Sequence, residues 1–310
     1  MRLLVTGSLG LLGQALMRML AEKTTGFDVL LSSRSFPAEG GHIPFPFQIM
    51  DVTDPIQTSW VVERFRPDAV IHTAAMTRVD PAEKDPEACW KINVTGTENL
   101  LKACARTGSH FIHLSTDFVF DGKAGPYRET EPVHPVNFYG KSKAASEELL
   151  FQSAVPWTIL RTILVYGATD PMLVERSNFA LWVKNSLEQS RPIRVASDQW
   201  RMPTLVQDLA WACLETARRR TLGIFHISGP EMVSVFEFAQ RVAHFFKLPQ
   251  GLMSPVDTAE LGEPAPRPPK TGFILEKARR ELGYAPHSLE QGLELLQKQI
   301  AAISPLEIHK

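Results

Sequence analysis

A glycine turn between an apolar run and an amphipathic segment constrains this chain more than any other feature. Leu3-Leu4-Val5 is followed by Thr6-Gly7-Ser8-Leu9-Gly10-Leu11-Leu12-Gly13, and helical periodicity then runs from Leu11 to Ala21. The glycines are spaced G-x-x-G-x-x-G. That spacing alone is weak, but between the first strand and first helix of an α/β chain it reads as a turn built for a dinucleotide. Gly7 permits the tight turn, Gly10 lets backbone approach a pyrophosphate, and Gly13 lets the helix pack closely on the strand. The helix N-terminus then faces the phosphates with free N–H groups and partial positive charge. Ser8, Leu11 and Leu12 complete the turn and join the glycines as expected cofactor contacts.

The rest of the first half repeats the strand–helix alternation. Val29-Leu30-Leu31, Ala69-Val70-Ile71 and Phe111-Ile112-His113-Leu114 read as buried strands. Helical periodicity covers Pro55 to Phe65, Glu87 to Arg106 and about Phe138 to Phe151, with a further strand at Thr158-Ile159-Leu160. Such alternation predicts a Rossmann-type, doubly wound parallel sheet with helices on both faces. The last third is punctuated by Pro and Gly, notably in Gly262-Glu263-Pro264-Ala265-Pro266-Arg267-Pro268-Pro269. Its helices, about 234–246 and 288–302, are not interleaved with long strands. It reads as a smaller C-terminal α/β lobe that closes over the sheet. The expected division gives 1–168 and 196–229 to the cofactor domain, and 169–195 with 230–310 to the substrate lobe.

The end of the second strand bears on which dinucleotide binds. An acid there suits the ribose hydroxyls of NAD, whereas an Arg suits the 2′-phosphate of NADP. The strand ends Leu31-Ser32-Ser33-Arg34-Ser35, and the nearby acid, Asp28, sits at its start. Arg34 can pair bidentately with a phosphate, and Ser32, Ser33 or Ser35 can add hydroxyl donors. NADP(H) is therefore expected, with NAD(H) as the alternative. Asp51-Val52 follows the next strand and can hold the adenine edge, or Asp51 can simply start a turn before the helix.

Three further segments form a candidate reaction centre. Tyr139-Gly140-Lys141-Ser142-Lys143 has the Y-x-x-x-K spacing, which puts Tyr139 and Lys143 on one helix face. A nearby ammonium favours the phenolate and lowers the tyrosine pKa. Such a Tyr can donate a proton to a carbonyl as a hydride arrives. His113-Leu114-Ser115-Thr116-Asp117 ends a strand at the sheet's carboxyl edge, where open α/β sheets bind ligands. A hydroxyl there can hold the substrate oxygen; Thr116 is preferred and Ser115 competes. His72-Thr73-Ala74-Ala75-Met76 closes another strand, and its small Ala74 and Ala75 would let backbone pass near the cofactor, with Met76 and Thr77 beyond. Asn93 sits in mid-helix, an unfavourable place for Asn. It reads either as a helix-bending water site or as a surface residue.

With these residues assembled, the chain resembles the extended short-chain dehydrogenases/reductases over nearly its whole length. The glycine motif, Ala74-Ala75, Asn93, Ser115-Thr116-Asp117 and the Tyr139/Lys143 pair stand in that family's order. Within it the resemblance is closest to the dTDP-4-dehydrorhamnose reductases. Ser115-Thr116-Asp117-Phe118-Val119-Phe120-Asp121-Gly122 is similar to their S-T-D-Y-V-F-D-G. Asp198-Gln199-Trp200-Arg201-Met202-Pro203-Thr204 is similar to D-Q-x-G-x-P-T, and Arg267-Pro268-Pro269 to a late R-P segment. The resemblance implies catalytic roles for Thr116, Tyr139 and Lys143, with Asn93 in support. It implies a nucleotide-linked 4-keto sugar as substrate, and a homodimer lies within its range.

Two departures fall on the substrate side. Leu164 stands where the reductases carry a Trp that contacts the sugar, and Arg201 replaces a Gly. The acidic cluster by which some of these reductases bind magnesium at a dimer interface is not evident, and no metal is expected. The substrate-side candidates are Thr77, Thr116, Leu164, Arg201 and Arg267, the last two as cations for a diphosphate. Two other members of the wider family stay in view. One is an epimerase or dehydratase that keeps its cofactor; dehydratases need an acid beside the hydroxyl, and Asp117 is present without the usual Glu partner. The other is a non-catalytic, NADP-binding subunit resembling the regulatory β subunit of methionine adenosyltransferase, which shares a stretch like Asp121-Gly122-Lys123-Ala124-Gly125-Pro126-Tyr127.

Bulk properties exclude other classes. A net charge of -1 argues against nucleic acid or an anionic membrane as main partner. Gln14 and Arg18 interrupt the N-terminal apolar stretch, so it does not read as a signal peptide, and no run reaches the roughly 20 apolar residues of a membrane span. Cys89, Cys104 and Cys213 are scattered, as suits reduced thiols, and a cytoplasmic location is expected.

Overall fold

The computed structural model describes residues 1–22, 26–36, 41–170, 173 and 178–303. Its centre is a parallel sheet of β1 (Arg2–Thr6), β2 (Asp28–Ser33), β3 (Phe47–Ile49), β4 (Ala69–His72), β5 (His110–Thr116), β6 (Trp157–Thr162) and β7 (Gly223–Ile227). The spatial order is β7-β6-β5-β4-β1-β2-β3. Chain direction across the sheet therefore reverses between β1 and β4, and the crevice beyond the carboxyl ends of those two strands is where such sheets bind ligands. The sequence expectation of a doubly wound parallel sheet with a smaller lobe describes the fold. Strand β7 is an addition. Its run Gly-Ile-Phe-His-Ile is broken by His226, which is buried because the Tyr127 carbonyl lies 3.1 Å from its Nδ1 and Glu129 accepts from its backbone N–H.

Alternation along the strands feeds two cores. Leu3 and Val5 face the side covered by α1 (Leu11–Glu22) and the helix Val206–Arg219; Leu4, Val70, Phe111 and Ile159 face the side covered by α2 (Pro55–Phe65) and α3 (Gly96–Thr107). Both faces of the central strands are buried, so these strands carry continuous apolar runs rather than an alternating pattern. The helix α2 starts where Asp54 accepts from the N–H groups of Ile56 and Gln57, with Pro55 at its first position.

The lobe packs a third core around Val183, Phe238 and Leu293, from the helices Phe179–Glu188, Val235–Phe245 and Leu289–Ile303. The short strand pair Ile193–Ala196 with Met253–Val256 binds its segments together, and Trp200–Arg201 with Val233–Ser234 joins it to the chain that leads into the helix Val206–Arg219. Among the described residues no helix is long and apolar enough to cross a membrane.

Candidate active site

A cleft of about 900 Å³ runs from the glycine turn, past the carboxyl ends of β4 and β5, to the lobe. Gly7, Gly10, Leu11 and Leu12 line its first end. Gly7 has φ +66°, and a Cβ there would lie 2.6 Å from the backbone N of Ala74. The two strand ends are therefore in near contact, as a backbone-lined cradle requires. Gly13 lies behind the lining: a Cβ on it would be 2.5 Å from Ser8 Cα, so it sets how closely α1 meets the turn. Ser8 does not face the cleft. Its N–H and its hydroxyl both donate to the Ser32 carbonyl, at 3.0 and 3.1 Å, and the residue is fully buried. Ser32 is buried as well, which leaves Ser33 and Ser35 as the hydroxyls lining the cleft beside Arg34. Arg34 is exposed and makes no ion pair among the described residues. Asp51, Val52, Ala74 and Ala75 complete this end. The cradle that Cβ atoms would fill, together with Arg34, suits a phosphorylated dinucleotide.

The wall that carries Thr116 and Tyr139 is built where β5 and α4 (Phe138–Phe151) meet. Asn137 caps α4: its Oδ1 accepts from Gly140 N at 2.8 Å, which places Tyr139 in the first helical turn. Tyr139 and Lys143 are buried on one face, beside Thr116 from the end of β5. Tyr139 departs from expectation in its acidity. Burial pushes its phenol up, Thr116 pulls it down by a hydrogen bond, and Asp117 and Cys89 add to the rise. The Lys143 Nζ instead lies 3.0 Å from His113 Nε2. An ammonium has only hydrogens to offer, so the imidazole accepts. Burial lowers Lys143 from its ordinary 10.5 to about 8, against the pull of Glu147 and Cys89. Burial with Lys143 nearby also keeps His113 well below the usual histidine range and takes His72 to about 3, so both rings are neutral.

Thr116 and Ser115 have separate partners. Thr116 Oγ1 donates to Asp117 Oδ1 at 3.1 Å, whereas Ser115 Oγ donates to Glu147 Oε1 at 2.5 Å. Glu147 is held in turn by Arg161, Nε to Oε1 at 2.9 Å and Nη2 to Oε2 at 2.6 Å, with both side chains buried. This buried pair was missed in the sequence, though Glu147 falls four residues past Lys143 on the same helix face. Asn93 is buried in a π-helical turn, Lys91–Thr95. Its Oδ1 accepts from Met76 N at 2.8 Å, and its Nδ2 donates to Met76 O at 3.1 Å and Ser142 Oγ at 2.9 Å. It thus ties the segment after β4 to α4, and the surface reading fails because the side chain is enclosed. Met76 is clasped from behind rather than lining the cleft, whereas Thr77 does line it.

On the lobe side Leu164, Arg201 and Arg267 all line the cleft. Leu164 has φ +39°, a left-handed conformation that costs a non-glycine residue about 1–2 kcal/mol. Neither Arg is the free cation that the sequence suggests. Arg201 is buried, with its nitrogens on the carbonyls of Trp200, Pro268 and Pro269 and on Gln199. Arg267 is paired with Asp80 and Glu263. Arg194, also in the lining, was overlooked; its exposed pair with Glu260 at 3.3 Å is one a phosphate can displace.

The fold and the Thr116, Tyr139 and Lys143 wall define an extended short-chain dehydrogenase/reductase. The chain belongs to the family described as the RmlD substrate binding domain, whose model matches residues 1–302. It is 33% identical to the spore coat polysaccharide biosynthesis protein SpsK of Bacillus subtilis over 303 residues, which covers 97% of this chain and 99% of that protein. It is also 33% identical to methionine adenosyltransferase 2 subunit beta of Xenopus laevis over 272 residues, 86% of this chain and 78% of that protein. Among solved structures it resembles dTDP-4-dehydrorhamnose reductase from Bacillus anthracis in complex with NADP. The TM-score is 0.84 at 29% identity, with 96% of this chain and 98% of that chain covered.

Proposed function

We propose that this chain reduces the 4-keto group of a nucleotide-activated sugar with NADPH, NADH being the alternative cofactor. The observation that carries the reading is the convergence of Thr116, Tyr139 and Lys143 on one wall of a cleft whose far end is the glycine turn. The NADP complex of the Bacillus anthracis reductase supports the cofactor. In this reading residues 1–168 and 196–229 hold the cofactor, and 169–195 with 230–310 hold the sugar nucleotide in the cytoplasm.

Bound NADPH would supply a hydride to the carbonyl carbon. Tyr139, kept as a neutral phenol by burial, gives its proton to the carbonyl oxygen, so ketone becomes alcohol. The Lys143 ammonium, steadied by His113, stabilises the phenolate left behind. Thr116 stands beside Tyr139 on the same wall, and Asn93 keeps Met76 and Ser142 in register behind it.

Two other readings are weighed on particular residues. A dehydratase needs a free acid beside the hydroxyl, but Asp117 accepts from Thr116 and Thr271 and pairs with Arg201, and Phe118 rather than Glu follows it. A regulatory, cofactor-binding subunit is favoured by the likeness to the Xenopus β subunit. The deciding experiment mixes purified protein, NADPH and dTDP-4-dehydrorhamnose and follows NADPH absorbance. Steady oxidation supports the reductase; tight NADPH binding with no oxidation by any nucleotide ketosugar supports the regulatory reading instead.

A further inference from the structure

One buried cation touches the neighbours of both Thr116 and Tyr139. Arg201 Nε lies 3.7 Å from Asp117 Oδ2, and Asp117 Oδ1 accepts the Thr116 hydroxyl. The Arg201 guanidinium also stacks 5.6 Å from the Phe118 ring, which meets the Tyr139 ring edge-on at 6.0 Å. Its remaining donors hold the carbonyls of Pro268 and Pro269. Thr271, further along the same segment, donates to Asp117 Oδ2.

We propose that Arg201 is a positioning residue: it keeps Asp117 ionised and thereby draws the Thr116 proton away from the substrate. Thr116 has one proton to give. While Asp117 is a carboxylate, its Oδ1 competes with Tyr139 for that proton, and with the proton on Oδ1 the Thr116 oxygen is left as an acceptor that also takes the Phe118 N–H at 3.2 Å. Tyr139 is then the sole O–H of the pair that faces a ketone. A protonated Asp117 would become a donor itself and release the Thr116 hydroxyl. The charged and titratable groups around Asp117 are few. Arg201 faces it from the strand Trp200–Arg201 and Tyr139 from α4, while Asp198 and Arg267 act through Arg201. Burial raises the Asp117 carboxyl and lowers the Arg201 guanidinium, and each pulls the other back. With Arg201 gone, only hydroxyl donors and a peptide dipole would oppose protonation.

The kinetic arm rests on the reductase reading; the spectroscopic arm does not. In the NADPH-bound protein at neutral pH, the infrared difference between wild type and Asp117→Asn should show a lost carboxylate band. A lost protonated-carboxyl band would overturn the proposal. Arg201→Met should gain a protonated-carboxyl band that Arg201→Met/Asp117→Asn lacks. With dTDP-4-dehydrorhamnose and NADPH, Arg201→Met should lose about 10- to 100-fold in kcat, the scale of a misaligned catalytic group. Its kcat should also gain an ionisation absent from the double variant, and Arg201→Lys should remove that ionisation. An Arg201→Met enzyme with lower kcat, an unchanged pH profile and no new band would make Arg201 a structural tie only. If Arg201→Met does not fold, the Asp117→Asn spectrum still decides. Absence of wild-type turnover would count against the reductase reading and leave the infrared result standing.

Discussion

Arg267 grips Asp80 with both terminal nitrogens, Nη1 to Oδ1 at 2.7 Å and Nη2 to Oδ2 at 2.8 Å. Its Nε reaches Glu263 at 3.0 Å, and Nη1 also donates to the Ala265 carbonyl at 2.5 Å. Asp80 lies in the helix Val79–Lys84, just beyond the end of β4, whereas Arg267 belongs to the Pro-rich segment of the last third. The pair therefore joins the cofactor-side rim of the cleft to the lobe. The guanidinium holds the Asp80 carboxyl below the usual carboxylate range.

A tie and a phosphate ligand predict different double results at this position. Arg267→Ala is predicted to raise KM for a nucleotide sugar by roughly tenfold, one lost charged contact in scale, with NADPH affinity unchanged. Asp80→Asn separates the two roles. If Arg267 works as a tie, Asp80→Asn raises KM as Arg267→Ala does. A KM that falls in Asp80→Asn would mean that the freed guanidinium binds phosphate directly.

Arg34 is the candidate reader of the cofactor at the other end. It is exposed, and among the described residues no carboxylate competes for it. Arg34→Ala is predicted to weaken NADPH binding by roughly tenfold, through loss of a charge-assisted contact to the 2′-phosphate, and to leave NADH nearly unchanged. Fluorescence titration with both cofactors measures this. Equal losses for the two would show that Arg34 does not read the 2′-phosphate.

Tyr139→Phe keeps the ring and its edge contact with Phe118 but removes the proton. Turnover of a nucleotide ketosugar is predicted to fall ~100- to 10,000-fold, the usual worth of general acid help. NADPH affinity should persist, because the glycine turn and Lys143 remain. Turnover at the wild-type rate would refute the acid role.

Local signals in the sequence carried the sheet apart from β7, the glycine turn and the helix that bears Tyr139. Helix α4 was legible in extent, Phe138–Phe151, whereas the Asn137 cap that starts it and its mostly polar buried face were not. Whatever depends on a partner far along the chain was not. Nothing near Arg201 in sequence tells that the Pro268 and Pro269 carbonyls and Asp117 will surround it. Read locally, it is a cation beside a substrate. Tyr139 was misjudged for a related reason. Helical spacing puts Lys143 on its face, but the chain also delivers His113 from β5 to take the ammonium, and burial then decides the phenol's acidity. Ser8 and Ser32 bond to each other, through the Ser8 hydroxyl and the Ser32 carbonyl, and no local pattern marks that pairing.

The acidity of Lys143 yields opposite pH trends for activity and stability. Its pKa falls from 10.5 in the ordinary case to about 8, with burial the largest cause. Below about 8 both folded and unfolded chains hold this proton, and the folded state bears the full cost of a buried charge. Between about 8 and 10.5 the unfolded chain holds more of the proton, so by linkage this group's contribution to stability rises with pH. Activity should run the other way, because the ammonium that the proposed mechanism uses to stabilise the Tyr139 phenolate is lost above about 8. The prediction is a kcat that declines through that value while the melting temperature, compared with Lys143→Met at each pH, gains on the variant. The measurement is a pair of profiles, kcat with a nucleotide ketosugar and Tm of wild type minus variant. A Tm difference that falls as pH rises past 8 would mean that the Lys143 ammonium is favoured by its surroundings, and burial would then not control its acidity.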